Sequence, residues 1–524
     1  MAKATVYQTN KKTGVTYVYE SVSFWDKEKK QSRSHRKLIG KLADNRIVPT
    51  KKRKENTKDI PKSSRYFYGA VYLFDKIAHG TGLIQDLKVC FADYKQILSI
   101  AYYMILEDKS PLSRFDKWAI LHKHPHGKTI TSQRSSELFA SITEEAKNKF
   151  FRLQAKRRVE EEYWAYDTTS ISSYSKCLKQ VKYGMNKEHD LLAQINLAVL
   201  FGEESNLPFY YRKLAGNIPD VKTLKKLLSD MNFLGFDKIK LVMDRGFYST
   251  NNISGLYKEH VKFLIAGKLS LKIVQNGIAG NKENIKSWKY YNPLYNLYAR
   301  CLPITWDYIK ERPYKKDVLK EERRMYLHIY YSPERATEKE NAFNVLLSNL
   351  QSELINKETK TEHQKLYEKY FEISRTPVRG LKILPKEEVI ADAVKDFGFF
   401  ALISNDIKDP IRALQIYRNK DLVEKAFGNL KERLNLRRLS VSSEQSLDGK
   451  LFVEFIALII LSYIKKKMQD NDLFKDYTMQ EMLDELDIIE CFELPGKKMQ
   501  LGEMTKKQIQ LYDKLGIEPP TSLQ

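Results

Sequence analysis

The chain has 524 residues, enough for two to four domains each with its own core, and its hydrophobic content of 42% excludes a disordered chain. Ninety Lys and Arg against 66 Asp and Glu leave a net charge of +24, read as spread along the whole chain. Such an excess points to a polyanionic partner, most simply nucleic acid, although a lysine-rich proteome would produce it too. Cys90, Cys177, Cys301 and Cys491 lie far apart with no metal-ligand spacing, which speaks against a disulfide framework and for a reducing, cytoplasmic setting.

Residues 1–50 read as a small β unit: Thr16–Tyr19 and Val22–Trp25 are strand-like, and Asp26–Lys30 suits a hairpin turn. Residues 51–64, opening on Lys51-Lys52-Arg53-Lys54, form a basic linker. Residues 65–158 carry several short apolar stripes at helical period, which fits a helical DNA-binding domain of the helix-turn-helix kind. Within it, His122-Lys123-His124-Pro125-His126 alternates histidines around a proline, a pattern that suits a loop better than a metal site.

From residue 159 the pattern becomes α/β. Tyr163–Tyr166 is a short strand ending at Asp167, and Ile195–Val199 and Leu207–Leu214 are two more. Gly216-Asn217-Ile218-Pro219-Asp220 turns into a helix bearing Leu224, Leu227, Leu228 and Met231. Ile239–Met243 is a buried strand ending at Asp244-Arg245-Gly246-Phe247, and Val261–Ala266 is the next. Residues 268–395 interrupt the order as an insertion domain with aromatic-rich segments, a strand at Tyr326–Tyr331 and a long polar helical region. Residues 396–467 then resume it, with a strand at Phe399–Ser404. The apolar run Leu451–Ile464 is shorter than a membrane span and contains Glu454, so it reads as a buried helix. A helical tail, 468–524, closes the chain.

The residues that carry chemistry converge on one stretch, Ile416–Arg433. Leu422, Ala426, Leu430 and Leu434 recur at helical period, and Tyr417, Lys420, Glu424 and Lys431 fall within about 60° of one another on another stripe of the same helix. Alone, this stripe reads rather as a solvated face with intrahelical ion pairs. Asp167 and Asp244, each at the end of a predicted strand, change the weighing, because α/β sheets present ligand-binding side chains there. Two such aspartates with Glu424 could hold two Mg²⁺ ions roughly 3.5–4 Å apart, hard oxygen ligands for a hard cation.

This arrangement resembles the DDE transposases of insertion sequences, in the group whose signature is Tyr, two residues, Arg, three, Glu, six, Lys. Tyr417, Lys420, Glu424 and Lys431 match that spacing, with lysine in place of arginine. Tyr166-Asp167-Thr168-Thr169-Ser170 and Met243-Asp244-Arg245-Gly246-Phe247 resemble the family's first and second aspartate segments, and Gly216-Asn217 with Asp220 fits as well. The resemblance covers about 160–467. It implies an α/β fold: a ribonuclease H-like catalytic core (159–267 and 396–467) with a large insertion domain, preceded by the β unit and the helical domain. It implies that Asp167, Asp244 and Glu424 are catalytic metal ligands for two Mg²⁺ ions, with Mn²⁺ able to substitute. Tyr417, Lys420, Lys431 and Arg245 would hold DNA phosphates, Lys420 as a point charge without arginine's bidentate fork. Trp288 and Trp306 are the candidates for stacking on an extruded base, though a core role would suit either. The implied partners are double-stranded DNA, as terminal inverted repeats and as target, and a second copy of the chain as a homodimer on DNA, with no membrane. A ribonuclease H-like nuclease without strand transfer, and a domesticated DNA-binding protein, are the alternatives.

Overall fold

The computed structural model describes residues 3–11, 13–26, 31–43, 46–49, 64–107, 110–157, 162–174, 178–184, 192–236, 238–312, 317–376, 380–420, 428, 434, 438–439, 443–494 and 499–521. The chain divides into two compact units, Met1–Ser63 and Ser64–Gln524.

The first unit is an antiparallel sheet in the order β1 (Lys3–Thr9), β2 (Thr16–Asp26), β3 (Gln31–Ala43), β4 (Arg46–Val48). The two short strands expected at 16–19 and 22–25 are one long strand, β2, with a bulge in its pairing to β3 at Val18/Tyr19. A bulge bends a strand without ending it, so Glu20 and Ser21 stay paired.

The second unit is built on a mixed sheet. Strands β6 (Trp164–Ser173), β7 (Gln194–Gly202) and β8 (Pro208–Ala215) form an antiparallel meander. Helix α7 (Asp220–Leu234) leads to β9 (Lys240–Met243), and α8 (Thr250–Lys258) to β10 (Lys262–Gly267); β9 is parallel to β6, and β10 to β9. The order β8-β7-β6-β9-β10 is the mixed sheet of a ribonuclease H-like core. Every residue of β6 and β7 is buried, which explains the apolar runs: both faces of these strands are covered. Helix α7 buries Leu224, Leu227, Leu228 and Met231, the stripe that its period predicts, and stops at Gly235, whose φ of 71° suits a left-handed cap.

Residues 268–395 do two things. Strands β12 (Leu297–Arg312) and β13 (Asp317–Tyr331) form a long hairpin, and β16 (Phe399–Ser404) joins it to β10, so the sheet continues as β10-β16-β13-β12. Helices α10 (Pro333–Asn356), α11 (Gln364–Tyr370) and α12 (Glu387–Val394) lie with the hairpin of Phe371–Thr376 and Gly380–Pro385, around a separate core of Phe343, Leu350, Leu354, Tyr367, Tyr370 and Phe371.

The helices between 69 and 156 share one continuous core with the sheet and with the helix Glu444–Asp470. That helix buries Leu451 through Leu461 without interruption, as expected of a buried helix, and no helix among the described residues is long and apolar enough to cross a membrane. Its Gly449 lets the backbone of Phe139 approach so closely that an added Cβ would stand 2.1 Å from the Phe139 carbonyl oxygen. Segment Glu490–Glu493 pairs with Ser64–Phe67, tying the end of the chain to the start of this unit. The histidines at 122 and 124 are core residues. The His122 ring stacks on Trp118 and bonds Asp487 at 2.9 Å, and His124 bonds the Ser99 hydroxyl at 3.0 Å. Burial, with His126, His122 and Lys123 adding to it, lowers the His124 pKa to about 4, so the ring is neutral.

Candidate active site

Strands β6 and β9 are paired at Trp164–Leu241, Ala165–Val242 and Tyr166–Met243. The next residue on each is an aspartate, so Asp167 and Asp244 stand side by side on neighbouring strands, whose backbones run about 4.8 Å apart in any sheet. The sequence reading ends the first strand before Asp167. The structure carries it to Ser173, because Asp167–Ser172 continue the antiparallel ladder to β7 after the parallel pairing with β9 stops. Asp167 is therefore mid-strand, and only its parallel neighbour ends there.

Asp244 keeps extended backbone (φ −79°, ψ 166°) and starts the single 3₁₀ turn Arg245–Phe247. That turn packs on the start of α7: a Cβ on Gly246 would lie 3.6 Å from Asp220 Oδ2. Asp220 in turn accepts the Thr168 hydroxyl at Oδ1, while the Thr168 backbone N–H donates to Asp167 Oδ1 at 2.7 Å. Asn252 on α8 closes the frame, its Nδ2 donating to the carbonyls of Phe247 (2.7 Å) and Val221 (2.8 Å). Sequence reasoning attached Asp220 to the site only through resemblance and missed Asn252, since nothing in a lone asparagine marks two carbonyls that meet only in space.

Helix α13 (Pro410–Asn419) brings the remaining groups. Its Asp409 cap and Pro410 fix the start, and Tyr417 in the last turn donates its hydroxyl to Asp244 Oδ1 at 2.8 Å. Lys420 follows at the C-cap, 1% exposed, with Nζ 5.8 Å from the Tyr417 ring centre. Burial by itself raises the Asp244 pKa; the Tyr417 hydroxyl, the Arg245 N–H, and the Lys420 and Arg245 charges outweigh it and hold the carboxyl below the usual range. Glu424 and Lys431 lie outside the described residues. Of the residues predicted from the sequence, Asp167, Asp244, Tyr417, Lys420 and Arg245 come to one place. Among the described residues no group of three His, Cys, Asp or Glu is arranged to hold a metal ion. The two aspartates do offer the carboxylate oxygens that suit Mg²⁺.

Beside Asp244 and Tyr417 opens a cleft of about 670 Å³ that Arg245, Lys268, Arg335 and Lys339 line with positive charge. Arg335 lies over the Phe400 ring, 4.8 Å from its centre, a contact that orients the guanidinium. Lys268, Arg335 and Lys339 had no sequence signal, because they lie in the insertion, where no local pattern marks the residues that meet the core. Trp288 is 81% exposed and stacks on Tyr291 at 5.2 Å, whereas the Trp306 indole Nε1 is buried without a hydrogen-bond partner.

The family described as Transposase DDE domain matches residues 162–460, more than half of the chain, and the chain belongs to that family. No curated protein sequence matches it. Among solved structures, a chain of the piggyBac transposase synaptic complex with hairpin DNA is similar over 80% of this chain and 77% of that one, at 9% identity and a TM-score of 0.35.

Proposed function

We propose that this transposase binds the terminal inverted repeats of its own insertion sequence, cleaves the ends and joins them to target DNA by two-metal phosphoryl transfer. The observation that carries this reading is the placement of Asp167 beside Asp244, with the Tyr417 hydroxyl and the Lys420 charge directed at Asp244. In the proposed site Asp167, Asp244 and Glu424 hold two Mg²⁺ ions, or Mn²⁺ in their place. When bound, these would stabilise charge on the phosphoryl oxygens and acidify an attacking water or 3′-hydroxyl.

The chain's own groups have distinct tasks. Tyr417 and Lys420 keep Asp244 ionised and oriented, and Thr168 fixes Asp167 through its N–H. Arg245 and the cationic cleft beside it would grip the phosphodiester backbone, and Lys431 would join them. End cleavage and end joining are both in-line attacks at phosphorus, so one site serves both. Recombination holds two ends together, so the working form is a homodimer on DNA, in the cytoplasm at the nucleoid. The Tyr-Arg-Glu-Lys group is the branch to which we assign it.

The test uses uncut ends to follow cleavage, and pre-cut ends with a supercoiled plasmid target to follow joining, both with Mg²⁺. Joined product is expected from the wild type, and loss of both cleavage and joining from Asp167→Asn and Asp244→Asn with DNA binding retained. Hydrolysis with no joined product would leave a nuclease without strand transfer. Unchanged cleavage by Asp244→Asn would show the site assignment to be wrong.

A further inference from the structure

The positive charge is not evenly spread, contrary to the reading from composition. Residues 1–63 hold 17 Lys and Arg against 6 Asp and Glu, a net +11 out of +24 for the chain. Six of these cations lie on the strands of its sheet, Lys3, Arg33, Arg36, Lys37, Lys41 and Arg46, and every residue of β3 from Gln31 to Ile39 is exposed.

The two faces of the sheet differ. Partners across an antiparallel pair share a face, and successive residues alternate. Ser23 is opposite Ser34, Trp25 opposite Ser32, Ser21 opposite Arg36 and Tyr17 opposite Lys41, so these side chains share one face. Ala4, Val6 and Gln8 of β1 join them, opposite Ser21, Tyr19 and Tyr17. Among the described residues this face has no carboxylate. Trp25 is 63% exposed, and Arg36 and Lys41 are exposed beside the serines. The opposite face carries Val18, Val22 and Phe24 with the cations Lys3, Arg33 and Lys37 and with His35, but it also carries the carboxylate of Glu20, which Lys3 meets at 3.3 Å.

The face with hydroxyls, cations and no carboxylate is complementary to a DNA duplex, where Ser and Arg donate to phosphates and base edges. Two paired strands fit the major groove, which is about 12 Å wide, and sheet readers use it in this way. We infer that the Ser23–Trp25–Arg36–Lys41 face of the first unit docks in a groove of duplex DNA, with β2 and β3 as the reading ribbon. The inference rests on the proposed transposase function, and it assigns DNA reading to the sheet rather than to the helices of 65–158, whose apolar stripes are spent in the shared core.

The test compares two double variants of the full chain that change charge equally on the same strand but on opposite faces: Arg36→Glu with Lys41→Glu, and Arg33→Glu with Lys37→Glu. Binding to a fluorescein-labelled duplex from the DNA flanking the reading frame is followed by anisotropy across a salt series. The first variant should weaken binding about tenfold more than the second and flatten the salt dependence by about two phosphate contacts. Equal losses from both would overturn the inference, as would loss of self-association by the first variant with DNA affinity intact. Should charge reversal unfold the sheet, Ser32→Ala with Ser34→Ala carries the test: preference for the flanking duplex over unrelated duplex should fall, and an unchanged preference refutes it. A wild type that binds no duplex removes the transposase function itself, which separates the two failures.

Discussion

The Tyr417 hydroxyl donates to Asp244 Oδ1 at 2.8 Å, joining the last turn of α13 to the end of β9 across 173 residues of sequence. It is one of the interactions that hold the Asp244 carboxyl below its usual pKa against the opposing effect of burial. A lowered pKa keeps the carboxylate ionised to lower pH, so activity that needs the charged form persists there. Tyr417→Phe should raise the Asp244 pKa and shift the acid limb of the cleavage rate to higher pH. Near neutrality the carboxylate stays ionised in either protein, so the rate there should change little while the acid limb moves. A pH–rate profile for cleavage of uncut ends checks this; an unmoved acid limb would separate Tyr417 from the ionisation of Asp244.

Lys420 is 1% exposed at the C-cap of α13, at the position where the proposed Tyr-Arg-Glu-Lys signature has arginine. Lys420→Arg restores the signature residue but enlarges a filled site. Overpacking costs about 1–3 kcal/mol, so the variant is expected to melt earlier than the wild type despite the closer match. Thermal unfolding by calorimetry tests it, and an equal or higher Tm would show that the pocket accepts the guanidinium.

Asn252 bridges the carbonyls of Phe247 and Val221 and so fixes the turn after Asp244. Asn252→Ala removes both hydrogen bonds, at about 0.5–1.5 kcal/mol each. Cleavage should fall while duplex affinity stays near wild type, because the change loosens the Asp244 turn without removing a cation. Parallel rate and affinity measurements would expose the idea as wrong if affinity fell first.

Glu454 is fully buried in the long apolar helix, 3.6 Å from Lys450, and burial raises its pKa to about 7. A folded-state pKa above the unfolded value means that the folded chain holds a proton which the unfolded chain has lost. Stability from this group is complete below the unfolded carboxylate pKa and declines as pH rises towards 7, then levels off. Glu454→Gln removes that decline and should gain roughly 2–3 kcal/mol at pH 8 relative to the wild type, with little gain at pH 4. Denaturant midpoints at the two pH values decide the matter, and a gain independent of pH would contradict the assignment.

Much of the core is legible in the sequence. The strands at 195–199, 207–214, 261–266 and 399–404 and the helix after Asp220 all appear, because buried strands and an amphipathic helix leave local periodic patterns. Asp167 misleads locally: a charged residue followed by Thr, Thr and Ser looks like a strand end, yet pairing with β7 carries the strand six residues further. Within the insertion β12 reads only as part of the aromatic-rich segments, and its identity as half of a long hairpin depends on the partner strand β13.

By itself the sequence marks the side chains of the proposed site: the aspartates at 167 and 244, the tyrosine and lysine at 417 and 420, and the arginine at 245. Residue type and spacing are local properties, and a helix or strand turns them directly into a face. Only the tertiary structure decides that Tyr166 pairs with Met243, which places the two aspartates side by side. It also decides that α13 delivers Tyr417 to Asp244, and that Arg335 and Lys339 from the insertion line the same cleft. These are contacts between segments far apart in sequence, fixed by sheet order and helix packing, and no local pattern encodes them.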